Sequence, residues 1–355
     1  MKDYQERTRR VHEAMEAQEL DALLVGKPDD CGYLVGSSRA GQVLITREEN
    51  YLFSYFVERA EARAQAANCT VVSCDRQHSA LSQVAELAQK HGVRSLGFEA
   101  QRMSHSAFVS LHEALGKVQM VPADALMNQV RNVKTPGEIA AFRRAASIDD
   151  AAFIHLLPLM GQGVSELDLV AELEYFMRKQ GVTAFSFPTI VVSGPRSSYC
   201  HGSPTTRKLE AGDLVTMDYG AVWDGCGSDI TRTVVVGEPT ARQEEVYGTV
   251  LEAQQRALSV LAPGVTGEEV DAIARTHIAE AGFGDEFGHG LGHALGGGYH
   301  VAPGVKEELV AGCIVTIEPG IYIEGWGGVR IEDDVLIIKG GYELLTHAPK
   351  ELVRV

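Results

Sequence analysis

Apolar positions along this chain follow two periods in turn. In RTRRVHEAMEAQELDALLVG they recur at helical spacing through Val11, Met15 and Leu20, then merge into a short continuous strand, ALLV. GQVLITREENYLFS alternates on either side of Glu48-Glu49-Asn50, which predicts a hairpin with those three residues in its turn. SALSQVAELAQKHGV has the pattern of a second helix ending at Gly92, and SLGFEA that of another strand. Helices alternating with strands predict a small α/β domain. Its histidines, His12, His78, His91 and His105, stand apart from one another and are expected at the surface. Thr135-Pro136 followed by Glu138 has the chemistry of a helix start, with proline early and an acid in the first turn. The chain is therefore divided into residues 1–127 and 128–355.

The second part contains an internal repeat. GVSELDLVAELEYFMRKQG (Gly163 to Gly181) and GVTGEEVDAIARTHIAEAG (Gly264 to Gly282) have the same length. Each opens with Gly-Val and a hydroxyl residue followed three positions later by an acid, close to a capping box, and each closes on glycine. Two copies of a helix-plus-strands unit predict a pseudo-twofold domain whose natural ligand site is the seam between its halves.

After each helix comes a hairpin that carries acids where burial is expected. In TMDYGAVWDGCGSDITRTVVVG, a turn at Asp224-Gly225 sets Asp218 opposite Thr231 and Asp229 opposite Gly220. Strand alternation then puts both carboxylates on one face, a costly place for them unless a proton or a cation intervenes. IEPGIYIEGWGGVRIEDDV repeats the design. If it closes near Gly325, Glu318 and Glu332 share a face, with Arg330 as a counter-charge that serves Glu332. FGHGLGHALGGGYH places His289, His293 and His300 in a glycine-rich segment between the hairpins, and SGPRSSYCHG presents His201 in a loop. Four carboxylates and an imidazole suit a pair of divalent ions.

Composition narrows the picture further. A formal net charge of −16, with acids and bases intermixed, argues against a nucleic-acid partner. No window approaches the roughly 18 apolar residues of a membrane span. Cys31, Cys69, Cys74, Cys200, Cys226 and Cys313 lack C-x-x-C spacing, so neither a disulfide framework nor a zinc knuckle is expected. The N-terminal stretch lacks a secretory apolar core, and the cytoplasm is the expected compartment.

With these residues in view, the chain resembles the creatinase/prolidase/methionine aminopeptidase metallopeptidases (family M24, the pita-bread fold), in the branch of two-domain Xaa-Pro dipeptidases (prolidases) and aminopeptidase P. The likeness covers essentially the whole chain. ALLVGKPDDCGYLVG is similar to the family's N-terminal domain, and NVKTPGEIAAFRRAASI to the start of its catalytic domain. The resemblance implies a creatinase-like α/β N-terminal domain and an α+β pita-bread catalytic domain. It also implies metal ligands Asp218, Asp229, His293, Glu318 and Glu332 on two divalent ions (Mn, Co or Zn, with Mn favoured). Asp229 and Glu332 bridge, Glu318 doubles as a catalytic proton shuttle, and His201 and His300 are catalytic donors to the substrate oxygen. Thr231 orients the acids, and Phe185, Phe187, Tyr199 and Tyr322 are candidate pocket walls.

The implied activity is metal-dependent hydrolysis of a Xaa-Pro bond in a proline-containing dipeptide or short peptide, by a homodimer. The alternatives are an aminopeptidase P acting on longer peptides, a hydrolase of another small C–N substrate, or a non-catalytic binding protein on the same fold. Two departures bear on the choice: Val301 stands where the family often has Glu after the residue matching His300, and Lys306 is the one basic residue between His300 and Glu318. A dipeptide carboxylate therefore has Lys306, Arg196 or Arg330 as candidate partners in this chain.

Overall fold

The computed structural model describes residues 4–37 and 41–355. Its contacts divide the chain into two compact units, Met1–Arg131 and Asn132–Val355. The first holds α1 (Tyr4–Ala17), β1 (Ala22–Val25), α2 (Pro28–Val35), β2 (Gln42–Thr46), β3 (Asn50–Tyr55) and α3 (Phe56–Gln65). It continues through β4 (Thr70–Cys74), α4 (Ala80–Lys90), β5 (Ser95–Phe98), α5 (His105–Leu115), β6 (Gln119–Pro122) and α6 (Asp124–Asn132), the last crossing the division.

The six strands form one mixed sheet in the order β4-β3-β2-β1-β5-β6. ALLV reads as continuously apolar because both faces of β1 are covered. Leu23 and Val25 pack with Val11, Met15 and Leu126 of α1 and α6, while Ala22 and Leu24 pack with Val84 and Leu111 of α4 and α5. The first hairpin turns one residue earlier than expected. Asn50 pairs with Ile45, and Thr46 Oγ1 accepts from the Glu49 amide at 3.0 Å, so Asn50 belongs to β3. His91 is no surface residue either: its side chain is 9% exposed, with Nε2 2.7 Å from the Tyr51 hydroxyl.

The second unit contains α7 (Pro136–Leu156), α8 (Glu166–Lys179), β7 (Ala184–Phe185), β8 (Ile190–Ser193), β9 (Leu214–Tyr219), β10 (Ala221–Trp223), β11 (Cys226–Gly227) and β12 (Ile230–Val235). Then follow α9 (Ala241–Leu258), α10 (Gly267–Glu280), β13 (Ile314–Ile317), β14 (Gly320–Ile323), β15 (Gly327–Arg330), β16 (Asp333–Ile338) and β17 (Gly341–Leu344). Thr135 caps α7 reciprocally with Glu138, as the Thr-Pro-x-Glu pattern predicts.

The repeat is present in the backbone. Ser165 with Asp168 and Thr266 with Glu269 form complete capping boxes at α8 and α10. Gly163 N donates to Leu209 O at 2.9 Å, and Gly264 N to Leu309 O at the same distance. Gly212 N donates to Val236 O, and Gly312 N to Ile337 O. Each half has its own core. Ile148, Phe153, Leu169 and Leu173 of α7 and α8 pack on Val215, Met217 and Ile230, while Val250, Val270 and Ile278 of α9 and α10 pack on Val315, Ile317 and Val335. Because strand residues alternate, Thr216, Asp218, Thr231 and Thr233 face away from the first of these cores. There they meet the other half: Thr233 donates to Arg330 O at 3.0 Å and Thr231 to Glu332 Oε2 at 2.6 Å.

Candidate metal centre

Both acid-bearing hairpins are interrupted beside or at their carboxylates. β9 pairs with β12 with Asp218 opposite Thr231, and β10 with β11 with Val222 opposite Gly227, one register on both sides of a break at Gly220 and Ser228. Asp224 and Gly225 both have positive φ, as the expected tight turn requires. A Cβ on Gly220 would lie 1.8 Å from Ser228 O, so only glycine lets the chain close here. In the second hairpin Ile317 pairs with Asp333 and Gly320 with Arg330, again in one register, which leaves Glu318 opposite Glu332 in the gap.

The two acid pairs are not equivalent by the repeat. Asp218 follows Gly212 as Glu318 follows Gly312. Counting back from Val236 and Ile337 matches Glu332 to Thr231, and Asp229 to Arg330. The second hairpin therefore does not copy the first: one of its acid positions holds a cation.

Asp218, Asp229, His293, Glu318 and Glu332 line one cleft of about 440 Å³, with His201 on its wall. His293 Nε2 lies 3.3 Å from Asp229 Oδ2 and 3.6 Å from Glu318 Oε1. Ligand atoms of Asp229, His293 and Glu332 all fall within 4.8 Å of one another. Thr316 Oγ1 accepts from the His293 backbone amide at 2.9 Å and donates to Glu318 Oε1 at 3.0 Å, which ties the Glu318 side chain to the backbone that carries His293.

Burial, followed by the charges of Glu332 and Asp218, holds the Asp229 carboxyl well above the usual carboxylate range. Burial, followed by Glu318 and Asp218, does the same to Glu332. Glu318 is raised, chiefly by burial. His300, whose ring is 6.4 Å from that of His293, is held below the usual histidine range by burial and then by His293. It is not among the residues lining the cleft.

Arg330 is 2% exposed, and its partner differs from the expected one. It donates to Asp218 Oδ2 at 2.5 Å, to Thr231 Oγ1 at 3.0 Å and to the Tyr322 hydroxyl at 2.8 Å, so its direct pair is Asp218 and it reaches Glu332 through Thr231. Tyr322 is thereby spent on Arg330 and on His289 Nε2 at 2.9 Å, and is not a pocket wall. Burial pushes the His289 imidazole down to about 4.

Phe185 pairs with Ala221 beneath the Arg178 guanidinium, and Tyr199 is 53% exposed beside Arg196. Of the four expected walls only Phe187 lines the cleft, joined by Pro188, Ile190 and Pro204. Those three had no motif to mark them. A separate depression of about 550 Å³ runs past Asp271, Arg275 and Pro303 and holds none of the candidate ligands.

The residues present fit a cation group. Asp218 Oδ1, Asp229 Oδ1 and Glu332 Oε1 are buried with no hydrogen-bond partner. An anionic oxygen stranded this way is costly, and a cation removes the cost. Among the carboxylates only Asp218 has an arginine on it. The donor set of carboxylate oxygens and one imidazole suits hard-to-borderline divalent ions.

Two interrupted carboxylate hairpins, one from each half of the repeat and meeting one histidine, define a candidate metal centre in the second unit. The pattern of metallopeptidase family M24 matches residues 140–339, and that of the creatinase/prolidase N-terminal domain matches residues 7–133. The chain belongs to family M24 and has its pita-bread fold. It is 36% identical to a Xaa-Pro dipeptidase of Pyrococcus horikoshii, over 98% of this chain and 99% of that protein. Among solved structures it is similar to a Xaa-Pro dipeptidase from Bacillus anthracis, with 38% identity, TM-score 0.92, and 99% and 100% of the two chains covered. It is also similar to an X-Pro aminopeptidase from Thermotoga maritima, with 32% identity, TM-score 0.91, and 98% and 99% covered. Among the described residues no helix is long and apolar enough to cross a membrane.

Proposed function

We propose that the chain hydrolyses Xaa-Pro bonds as a dipeptidase, with two divalent ions, Mn by preference, held by Asp218, Asp229, His293, Glu318 and Glu332. The observation that carries this reading is the set of buried carboxylate oxygens without partners around His293. When bound, the ions supply a nucleophile from water near neutral pH and a Lewis acid for the peptide carbonyl. Arg330 offsets the charge of Asp218. Thr231 fixes Glu332 through Oε2 and leaves Oε1, like Asp229 Oδ1, without a protein partner, so Asp229 and Glu332 would be the carboxylates shared between the ions.

Glu318, with a raised pKa, takes the proton from the attacking water and passes it to the leaving proline nitrogen. His201 and His300 donate to the carbonyl oxygen as it becomes anionic. Phe187, Pro188, Ile190 and Pro204 give an apolar wall suited to a proline ring, whose tertiary amide has no N–H to satisfy. The relatives' substrates support the same bond.

Cleavage of longer peptides by an aminopeptidase P remains the second reading, favoured by a cleft lining without Arg or Lys. Homodimerisation is supported by the exposed apolar pair Phe56 (78%) and Val57 (81%) at the start of α3. The cytoplasm is the compartment in which unpaired thiols such as Cys200 stay reduced. Rates for Xaa-Pro dipeptides, their C-terminal amides and Xaa-Pro-Yaa tripeptides, with and without Mn²⁺, test the reading. A dipeptidase cleaves the free dipeptide best, whereas tripeptide cleavage indifferent to amidation sinks that choice.

A further inference from the structure

Each repeat helix buries one acid that faces neither the cleft nor its own helix cap. Glu166, the first residue of α8, is 0% exposed. Its Oε1 accepts from Ser193 N and Oγ at 2.8 Å each and from Arg196 Nε at 3.3 Å, and its Oε2 from Thr205 N and Oγ1 at 2.8 Å each. These donors stand on both sides of His201, so one carboxylate pins both ends of the loop that bears it. Asp271 of α10, 2% exposed, accepts from Leu291 N at 2.9 Å and pairs with Arg275 through both oxygens. Arg275 in turn donates to Phe287 O and His289 O. Leu291 O accepts from Glu318 N at 2.8 Å, so this clamp holds the segment leading into His293 and reaches Glu318.

The repeat itself does not demand either acid. Aligning the N-caps Ser165 and Thr266 matches Glu166 to Gly267, Asp271 to Val170 and Arg275 to Glu174. Capping is done by Asp168 and Glu269, which leaves Glu166 to its loop and Asp271 to Leu291 N and to Arg275, itself bound to the same segment.

We propose that Glu166 and Asp271 are positioning residues with separate targets: Glu166 sets the loop of His201, and Asp271 sets the segment of His293. The proposal rests on the roles given above to those two histidines. A carboxylate saturated with donors holds a loop more firmly than solvent does, because each released donor would be left buried and unpaired.

The isosteric changes Glu166→Gln and Asp271→Asn test it, since an amide turns a donor toward donors. Hydrogen exchange should accelerate over residues 193–205 in the first variant and over 287–295 in the second. Partners of this kind typically contribute about 10–100-fold in metal affinity or activity. Glu166→Gln should lose about that much kcat with Mn²⁺ affinity unchanged, and Asp271→Asn about that much Mn²⁺ affinity by calorimetry.

In a His201→Ala background, Glu166→Gln should cost nothing further. Thr205→Val, which removes one of the five donors to Glu166 and the acceptor of the Arg207 amide, should give a weaker form of the Glu166→Gln pattern should that variant fold poorly. Equal loss of Mn²⁺ affinity in both acid variants, or unchanged exchange in the two segments, overturns the proposal. A silent His201→Ala would instead sink the role of His201, and the exchange rates would then decide the clamp by themselves.

Discussion

Thr231→Val replaces a hydroxyl by a methyl of nearly the same shape at a fully buried position. The hydroxyl donates to Glu332 Oε2 at 2.6 Å and accepts from Arg330 Nε at 3.0 Å, so one substitution strands a carboxylate oxygen and a guanidinium N–H together. In the metal-free protein the bond to the protonated Glu332 contributes about 0.5–1.5 kcal/mol and that to the charged Arg330 about 1.5–3 kcal/mol, and partial relaxation recovers some of the loss. A destabilisation of about 3 kcal/mol follows for the metal-free protein. At about 2–4 °C per kcal/mol for a domain of this size, the melting temperature should fall by about 6–12 °C. Glu332 loses its orientation as well, so Mn²⁺ affinity should drop about 10–100-fold, while Thr231→Ser should restore both. Thermal melts in chelator and calorimetric Mn²⁺ titrations measure the two effects. A Thr231→Val protein that melts within about 2 °C of the parent and binds Mn²⁺ equally well would refute the argument that this hydroxyl couples Arg330 to Glu332.

Asp229→Ala removes an oxygen that faces both His293 and Glu332, so bound metal and hydrolysis should both collapse while the far-ultraviolet spectrum persists. Two ions per chain in that variant would contradict a bridging Asp229. His293→Ala should lower metal content, whereas His201→Ala and His300→Ala should retain it and lose about 10²–10³-fold in kcat, with metal analysis and kinetics as the paired readouts. The pKa values of Asp229 and Glu332 are raised in the folded, metal-free protein, which therefore keeps protons that the unfolded chain releases above about pH 4. Metal-free stability from these groups is present at low pH and lost as pH rises through the raised values. Because the ions replace those protons, the gain in melting temperature on adding Mn²⁺ should grow from pH 5 to 8, with proton release seen in buffers of different ionisation enthalpy. A gain that shrinks over that range would show that the carboxylates are not the ligands.

Much of this was decided by local rules. The turn at Asp224-Gly225 needs two residues tolerant of positive φ, and strand alternation then sets Asp218 opposite Thr231 whatever surrounds them. Capping boxes at Ser165 and Thr266 are likewise contained within four residues. Those signals were enough to read the hairpins, the repeat and the two acid pairs from the chain alone, whereas the choice of His293 among the nearby histidines came from the family resemblance.

Other features depended on which segments meet. Arg330 lies closer in sequence to Glu332, yet it pairs with Asp218 because the seam brings β9 against β15. Tyr322 looked like a wall and is consumed by Arg330 and His289, while Pro188, Ile190 and Pro204 form the wall without any motif. Glu166 reads as an ordinary first-turn helix acid, and its five donors come from residues 193–205. Periodicity and turn chemistry report only on neighbours along the chain. The partner of a buried charge is chosen by packing, which must satisfy every desolvated donor and acceptor with whatever the fold brings near.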